Sequence, residues 1–243
     1  MGQLIDLKSV KKSLTINNKV NNVAEILLYD DIGESMWGGV SAKAFKDALN
    51  QIPANTKEIQ LRVNSPGGNV FDGMTMYELL KSEKSKGRKV VAYVDGLAAS
   101  IASIIILAAD EIIVGDGSMV MIHRPLVGVY GNSAELERMI NVLDKIEEQM
   151  ITLYAKKTGL SRAEISNMLA AETWMTSTEA IDMKFADSNF KNCDTLHIAA
   201  SMIERSTHFN KKPQMKNADV LVKNKLSEFN NKAKEYLKSK NIK

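Results

Sequence analysis

The chain has 243 residues, 44% hydrophobic and 25% charged, with 32 Lys plus Arg against 29 Asp plus Glu and a formal net charge of +3. That apolar fraction excludes a disordered chain, and a single cysteine excludes an intramolecular disulfide framework. Near-neutral charge argues against a dedicated nucleic-acid binder, and the length suits one sizeable domain with or without an appendage. The first twenty residues hold no apolar signal-like core, and residue 6 is Asp where a myristoylation motif needs Ser or Thr. The longest apolar stretch, 101–109, is interrupted by Ser103 and falls well short of the roughly 20 residues a membrane span needs. A soluble cytoplasmic protein is expected, with Cys193 a bystander.

In chain order, the β-rich run 25–29 reads as a strand closed by turn residues at 30–33. Ser41 has the chemistry of an N-cap, and Phe45, Leu49 and Ile52 fall on one helical face. Residues 59–63 alternate as a strand, 64–68 form a sharp turn, and 70–80 read as a helix. The pattern then repeats: a strand at 89–94, a turn at Asp95-Gly96, and an apolar helix over 98–108 that belongs in the core. Residues 111–114 and 119–122 read as two more strands. Strands alternating with helices predict βαβ crossovers and a largely parallel sheet.

The segment 132–157 differs. Leu136, Met139, Ile140, Leu143, Ile146 and Met150 recur at helical spacing between charges. As one helix it would reach about 37 Å at ~1.5 Å per residue, long for a compact domain, so a core-packed helix and a projecting oligomerisation helix are both open. Gly159 ends it and Ser161 caps a shorter helix running to about Ala171. Residues 176–179 have capping-box spacing, and 185–187 read as the start of a last strand. After residue 190 the composition changes. Residues 191–243 hold 12 Lys plus Arg against 5 Asp plus Glu, a net of +7, whereas the first 190 carry a net of −4. This basic tail includes a possible helix at 220–237, and its His197 and His208 show no metal-ligand spacing.

Three segments offer chemistry. In DGLAAS, residues 95–100, small neighbours give access to the Ser100 hydroxyl at the start of a helix, whose free N–H groups favour a developing oxyanion. A small-residue packing contact would read the same way. In NSPGG, residues 64–68, two glycines expose backbone N–H groups suited to an anion, although an ordinary tight turn also fits. In MIHRP, residues 121–125, His123 stands at a strand end as a base or as a structural histidine. Nucleophilic acyl transfer needs a Ser, a base and a carboxylate; Glu164, Glu172, Glu179, Asp182 and Asp187 are all downstream, and spacing does not choose among them.

Taken together, SPGG, DGLAAS, MIHRP, the long charged-apolar helix, AETWMTSTEA at 171–180 and Phe-Ala-Asp at 185–187 resemble the proteolytic subunit of the Clp protease. The resemblance is nearest to the Clp-like serine proteases of phages and prophages that mature the phage head. It spans about residues 25–187 and implies a crotonase-like α/β spiral of βαβ units with a projecting handle helix at about 132–157. It implies an N-terminal arm at 1–22, a peptidase domain at 23–190 and the basic tail outside the match. It implies Ser100 as nucleophile, His123 as general base and Glu172 as the acid, where Clp peptidases usually carry Asp. The oxyanion donors would be the backbone N–H groups of Gly68 and Ile101. The stretch beginning Leu126, Val127 and Gly128 would bind the substrate peptide as an added strand. Expected partners are a protein substrate, further copies in a hexameric or heptameric ring, singly or stacked, and phage scaffold or capsid proteins. A Clp ATPase is the usual partner of the cellular enzyme, but no docking loop is recognisable. No cofactor and no metal are implied. Two other readings stand beside this one: a crotonase-like acyl-CoA enzyme, and a non-enzymatic ring or scaffold component.

Overall fold

In a computed structural model of the chain, the described residues are 14–19, 22–34 and 39–190. The basic tail, the 220–237 helix, Cys193, His197, His208 and most of the N-terminal arm lie outside them. Strand β1 (Leu14–Lys19), within the expected arm, pairs antiparallel with β2 (Val23–Leu28). From there the sheet is parallel, through β3 (Glu58–Ser65), β4 (Lys89–Ala99), β5 (Glu111–Gly115) and the terminal β8 (Ser188–Phe190). Strand β6 (Met119–Ile122) lies parallel to the far end of β4, and β7 (Thr173–Thr176) pairs antiparallel with β6. The helices are α1 (Ala42–Leu49), α2 (Val70–Ser85), α3 (Ile101–Ile105), α4 (Ser133–Thr158), α5 (Arg162–Ala171) and α6 (Ser177–Asp182); a 3-10 turn, Ile106–Ala108, extends α3. Alternation along the strands points Ile59, Leu61 and Val63 of β3 and Val90, Ala92 and Val94 of β4 into one core with Phe45, Met76, Leu80 and Ile104.

The turn expected at Asp95-Gly96 is absent, because β4 runs through it. The signal marks a bulge instead. Val63 pairs with Val94, but the next pair is Ser65 with Ala98, so three residues of β4 stand opposite one of β3. The Asp95 carboxylate does not cap a turn. It is buried and accepts from Arg62 Nε of the adjacent β3 at 2.8 Å and from the hydroxyl of Tyr29, just past the end of β2, at 2.5 Å. The bulge coincides with a change of partner: residues 91–94 of β4 pair with β5, and residues 97–99 pair with β6.

For the same reason the helix expected at 98–108 starts only at Ile101, and β3 takes in Asn64 and Ser65, which read as turn residues. The last strand begins at Ser188 rather than Phe185. Phe185 and Ala186 are buried in the core, and the Asp187 carboxylate accepts the Ile112 N–H at 2.8 Å. Helix α4 does project. Of its 26 residues, only Met150, Ile151, Tyr154 and Thr158 are buried, while Leu136, Ile140 and Val142 are exposed. An Asn132–Glu135 capping box starts it and Gly159, at φ 76°, ends it. The core-packed reading therefore holds only for its last third. Among the described residues no helix is long and apolar enough to cross a membrane.

Candidate active site

Ser100 stands where β4 gives way to α3. Its N–H donates to the Met121 carbonyl at 2.9 Å, extending the β4–β6 ladder by one step, and the chain then reverses into the helix. The reversal forces Ser100 to φ 54° and ψ −129°, a conformation L-residues rarely adopt and whose cost is on the order of 1–3 kcal/mol. Ala98, Ala99, Ile101 and Ala102 around it are buried, while Ser100 is partly open. Small side chains are required there. A Cβ on Gly67 would stand 2.7 Å from both the Ala99 carbonyl oxygen and Ser100 Cβ.

His123 follows the last residue of β6 and is 5% exposed. Its Nε2 lies 2.8 Å from Ser100 Oγ. For Nε2 to accept the serine proton, the imidazole proton must sit on Nδ1, and a group on that side must fix this tautomer. The β6–β7 register supplies a position for one. Ile122 pairs with Thr173 as the last pair of the ladder, so His123 and Glu172, the next residue on each side, lie at the same end of it. The Arg124 N–H donates to the Leu169 carbonyl at 3.2 Å, two residues out of that register, so the regular ladder ends with the Ile122–Thr173 pair. Glu172 is buried and caps α5 in the left-handed region, at φ 51°. Trp174 Nε1 approaches its Oε1 at 3.5 Å. Of the five carboxylates left open by spacing, Glu172 alone occupies this register position; Glu164 and Glu179 are consumed as capping-box partners, and Asp187 bonds Ile112 and Lys157.

The 64–68 segment packs across from Ser100. Gly67 and Gly68 have φ of 94° and 145°. Ile32 N–H donates to the Gly67 carbonyl and Asn69 N–H to the Ile32 carbonyl, both at 2.8 Å. A parallel bridge of this kind uses the groups flanking Gly68, and leaves the Gly68 N–H on the opposite side of the ribbon from Ile32. A Cβ on Gly68 would fall 2.1 Å from the Ile32 carbonyl oxygen. Ile101, the first residue of α3, is buried, and its side chain sits in a notch left by Gly73 of α2, where a Cβ would come within 2.2 Å of Ile101 Cγ1.

Ser100, His123, Gly67, Gly68 and Ile101 line one cleft of about 330 Å³, together with Asp31, Glu34, Pro125, Leu126 and Met150. The loop around Ile32 and the inner end of α4 are site elements that the sequence reading did not identify. Only the turn residues at 30–33 mark the loop, and nothing local marks Met150. Residues 124–132 leave the site without regular structure, and Leu126, Val127, Val129 and Tyr130 are exposed in succession. Around Gly128 a Cβ would meet nothing within 4 Å, so the backbone there is open to an approaching chain. Among the described residues no group of three or more His, Cys, Asp or Glu is arranged to hold a metal ion.

The class is that of a serine hydrolase carried on a largely parallel sheet. The family model described as Clp protease matches residues 8–192. An ATP-dependent Clp protease proteolytic subunit 1 from Chlamydia abortus is 29% identical over 181 residues, covering 71% of this chain and 93% of the relative. A protein of the same description from Mycobacterium bovis is 25% identical over 200 residues, covering 77% and 94%. Among solved structures, a ClpP1 mutant from Listeria monocytogenes superposes with a TM-score of 0.58 at 24% identity, over 69% of this chain and 91% of that one, which bears on the fold. The chain belongs to the Clp protease family, and it is a serine endopeptidase. Members of this family form homo-oligomeric rings and pair with Clp ATPases.

Proposed function

We propose that this endopeptidase works through Ser100, His123 and Glu172, with the N–H groups of Gly68 and Ile101 as oxyanion donors. The observation that carries the reading is the 2.8 Å contact between His123 Nε2 and Ser100 Oγ inside the cleft. Ser100 Oγ attacks the scissile carbonyl as its proton passes to Nε2, and the two N–H groups receive the oxyanion. The imidazolium, oriented and stabilised by the Glu172 carboxylate, then protonates the leaving amine, and water later releases the acyl group by the reverse proton path. The substrate backbone lies as an added strand along Leu126, Val127 and Gly128, a role supported by their exposure and by the absence of regular structure there. An acyl-CoA enzyme would have no use for the hydroxyl–imidazole pair. A fluorophosphonate probe tests the assignment. Wild-type protein is expected to be labelled once per chain at Ser100, and undiminished labelling of Ser100→Ala would remove Ser100 from the role.

The substrates we infer are scaffold or capsid proteins processed during phage head assembly, in a homo-oligomeric ring in the host cytoplasm. The ordered set from SPGG to Phe-Ala-Asp, whose resemblance is nearest to the phage enzymes, supports this, as does a basic tail that runs past the family match at residue 192. The exposed Leu136, Ile140 and Val142 on α4 support the ring. Co-expression with candidate scaffold and capsid proteins should give discrete fragments that vanish with Ser100→Ala. Identical particles with and without the substitution would argue against the assembly role.

A further inference from the structure

Ser103 lies three residues after Ser100 on α3 and is 1% exposed. Its Oγ is 2.5 Å from the carbonyl oxygen of Ser100 and 2.6 Å from the hydroxyl of Tyr154 on α4. A serine hydroxyl has a single proton. With that proton on the Ser100 carbonyl, only lone pairs face Tyr154, so the phenol is the donor. The order is therefore Tyr154 O–H to Ser103 Oγ, then Ser103 O–H to the Ser100 carbonyl, which also accepts the Ser103 N–H at 3.0 Å. Tyr154 is fully buried, with its ring centroid 5.7 Å from that of Phe185. Burial pushes its phenol well above the ordinary range, so it stays protonated and keeps donating.

The Ser100 carbonyl shares a peptide unit with the Ile101 N–H. That unit is planar and trans, so its C=O and N–H point in opposite directions. Whatever fixes the carbonyl also aims the N–H. The restraint matters here because Ser100 is held in an unfavourable backbone region, from which an unanchored peptide plane would rotate. We propose that Ser103 and Tyr154 are positioning residues that clamp the Ser100–Ile101 peptide plane, so that the Ile101 N–H faces the cleft as an oxyanion donor and is tied to α4.

The inference rests on the proposed role of Ser100 and Ile101, and two measurements separate its failure from theirs. With a fluorogenic peptide, Tyr154→Phe and Ser103→Ala should each lower kcat on the order of tenfold, less than the full loss of an oxyanion donor, with KM within about twofold. The double variant should be no worse than Ser103→Ala, because the two act in series. Wild-type kcat in both single variants would overturn the clamp, as would a loss appearing only in KM. Amide hydrogen exchange over residues 99–105 needs no turnover. Exchange at least fivefold faster in Tyr154→Phe than in wild type supports the clamp, and unchanged exchange overturns it. Should Ser100→Ala retain activity, the nucleophile assignment falls while the exchange result still decides the clamp. Tyr154→Phe removes one oxygen and keeps the ring, so it serves where Ser103→Ala fails to fold.

Discussion

Ile122 and Thr173 face each other across the β6–β7 ladder, and that pairing brings His123 and Glu172, the residues just beyond them, to the same end of the ladder. A catalytic base and its orienting acid need a fixed mutual direction more than a fixed spacing in sequence. Here 50 residues, two helices among them, separate the strands, yet one antiparallel pair brings their ends together. Glu172→Gln keeps the size of the side chain and removes its charge. It is expected to lower kcat/KM by roughly 10²–10⁴-fold, with probe labelling of Ser100 slowed in proportion. Glu172→Asp is expected to stay within about tenfold of wild type, because either carboxylate length orients an imidazole. Steady-state kinetics on one fluorogenic peptide decide both. A Gln variant with wild-type activity would place the orienting group elsewhere.

Much of this arrangement is legible in the sequence because its signals are local. Ser41, Ser161 and Thr176 announce helix starts, and each accepts the backbone N–H its capping chemistry predicts. Ser100 and His123 stand out because small residues, a strand end and a turn mark them. Asp95-Gly96 misleads because the same residues serve turns and bulges. What decides is the carboxylate's engagement with Arg62 and Tyr29, which lie 33 and 66 residues away in sequence. Strand β7 is missed since four residues carry too little alternation, and its existence depends on β6 as partner. The carboxylate could not be chosen by spacing for the same reason: register is a tertiary property.

Gly67 packs directly against Ser100. An alanine there would put its Cβ 2.7 Å from the Ala99 carbonyl and from Ser100 Cβ, at a φ of 94°. Gly67→Ala is expected to cost roughly 1–3 kcal/mol of stability. Any protein that folds should label at Ser100 at least tenfold more slowly. Gly87 gives the comparison, for its φ is 85° but a Cβ there meets nothing within 4 Å. Gly87→Ala should cost about 1 kcal/mol and leave labelling intact. Thermal melts and probe kinetics on the pair separate backbone strain from damage to the site. Equal labelling rates in the two variants would mean that the contact with Ser100 does not matter.

The outer part of α4 exposes Leu136, Ile140 and Val142 on a helix whose buried residues begin only at Met150. Leu136 and Ile140, four residues apart, share one helical face that the described residues leave exposed, which fits an interface between copies. Leu136→Glu with Ile140→Glu is expected to reduce the mass measured by light scattering while leaving the thermal melt of the separated subunit cooperative. An unchanged mass would assign assembly to another surface.

The acid limb of stability should depend on Asp110. Its carboxylate accepts Lys84 Nζ and the Val90 N–H, both at 2.8 Å, joining the end of the α3 segment to α2 and β4. Burial works against its ionisation, but the hydrogen bonds from Lys84 and Val90 outweigh this and hold its pKa below the usual carboxylate value. A depressed folded-state pKa gives stability that is fully present above the unfolded value, near pH 4, and is lost as pH falls through the folded value. Asp110→Asn is therefore expected to melt below wild type at pH 7, with the gap closing as pH drops beneath about 4. Both proteins can be followed by circular dichroism across that range at constant ionic strength. A gap that stays the same from neutral to acid pH would show that the contribution of Asp110 does not depend on its charge.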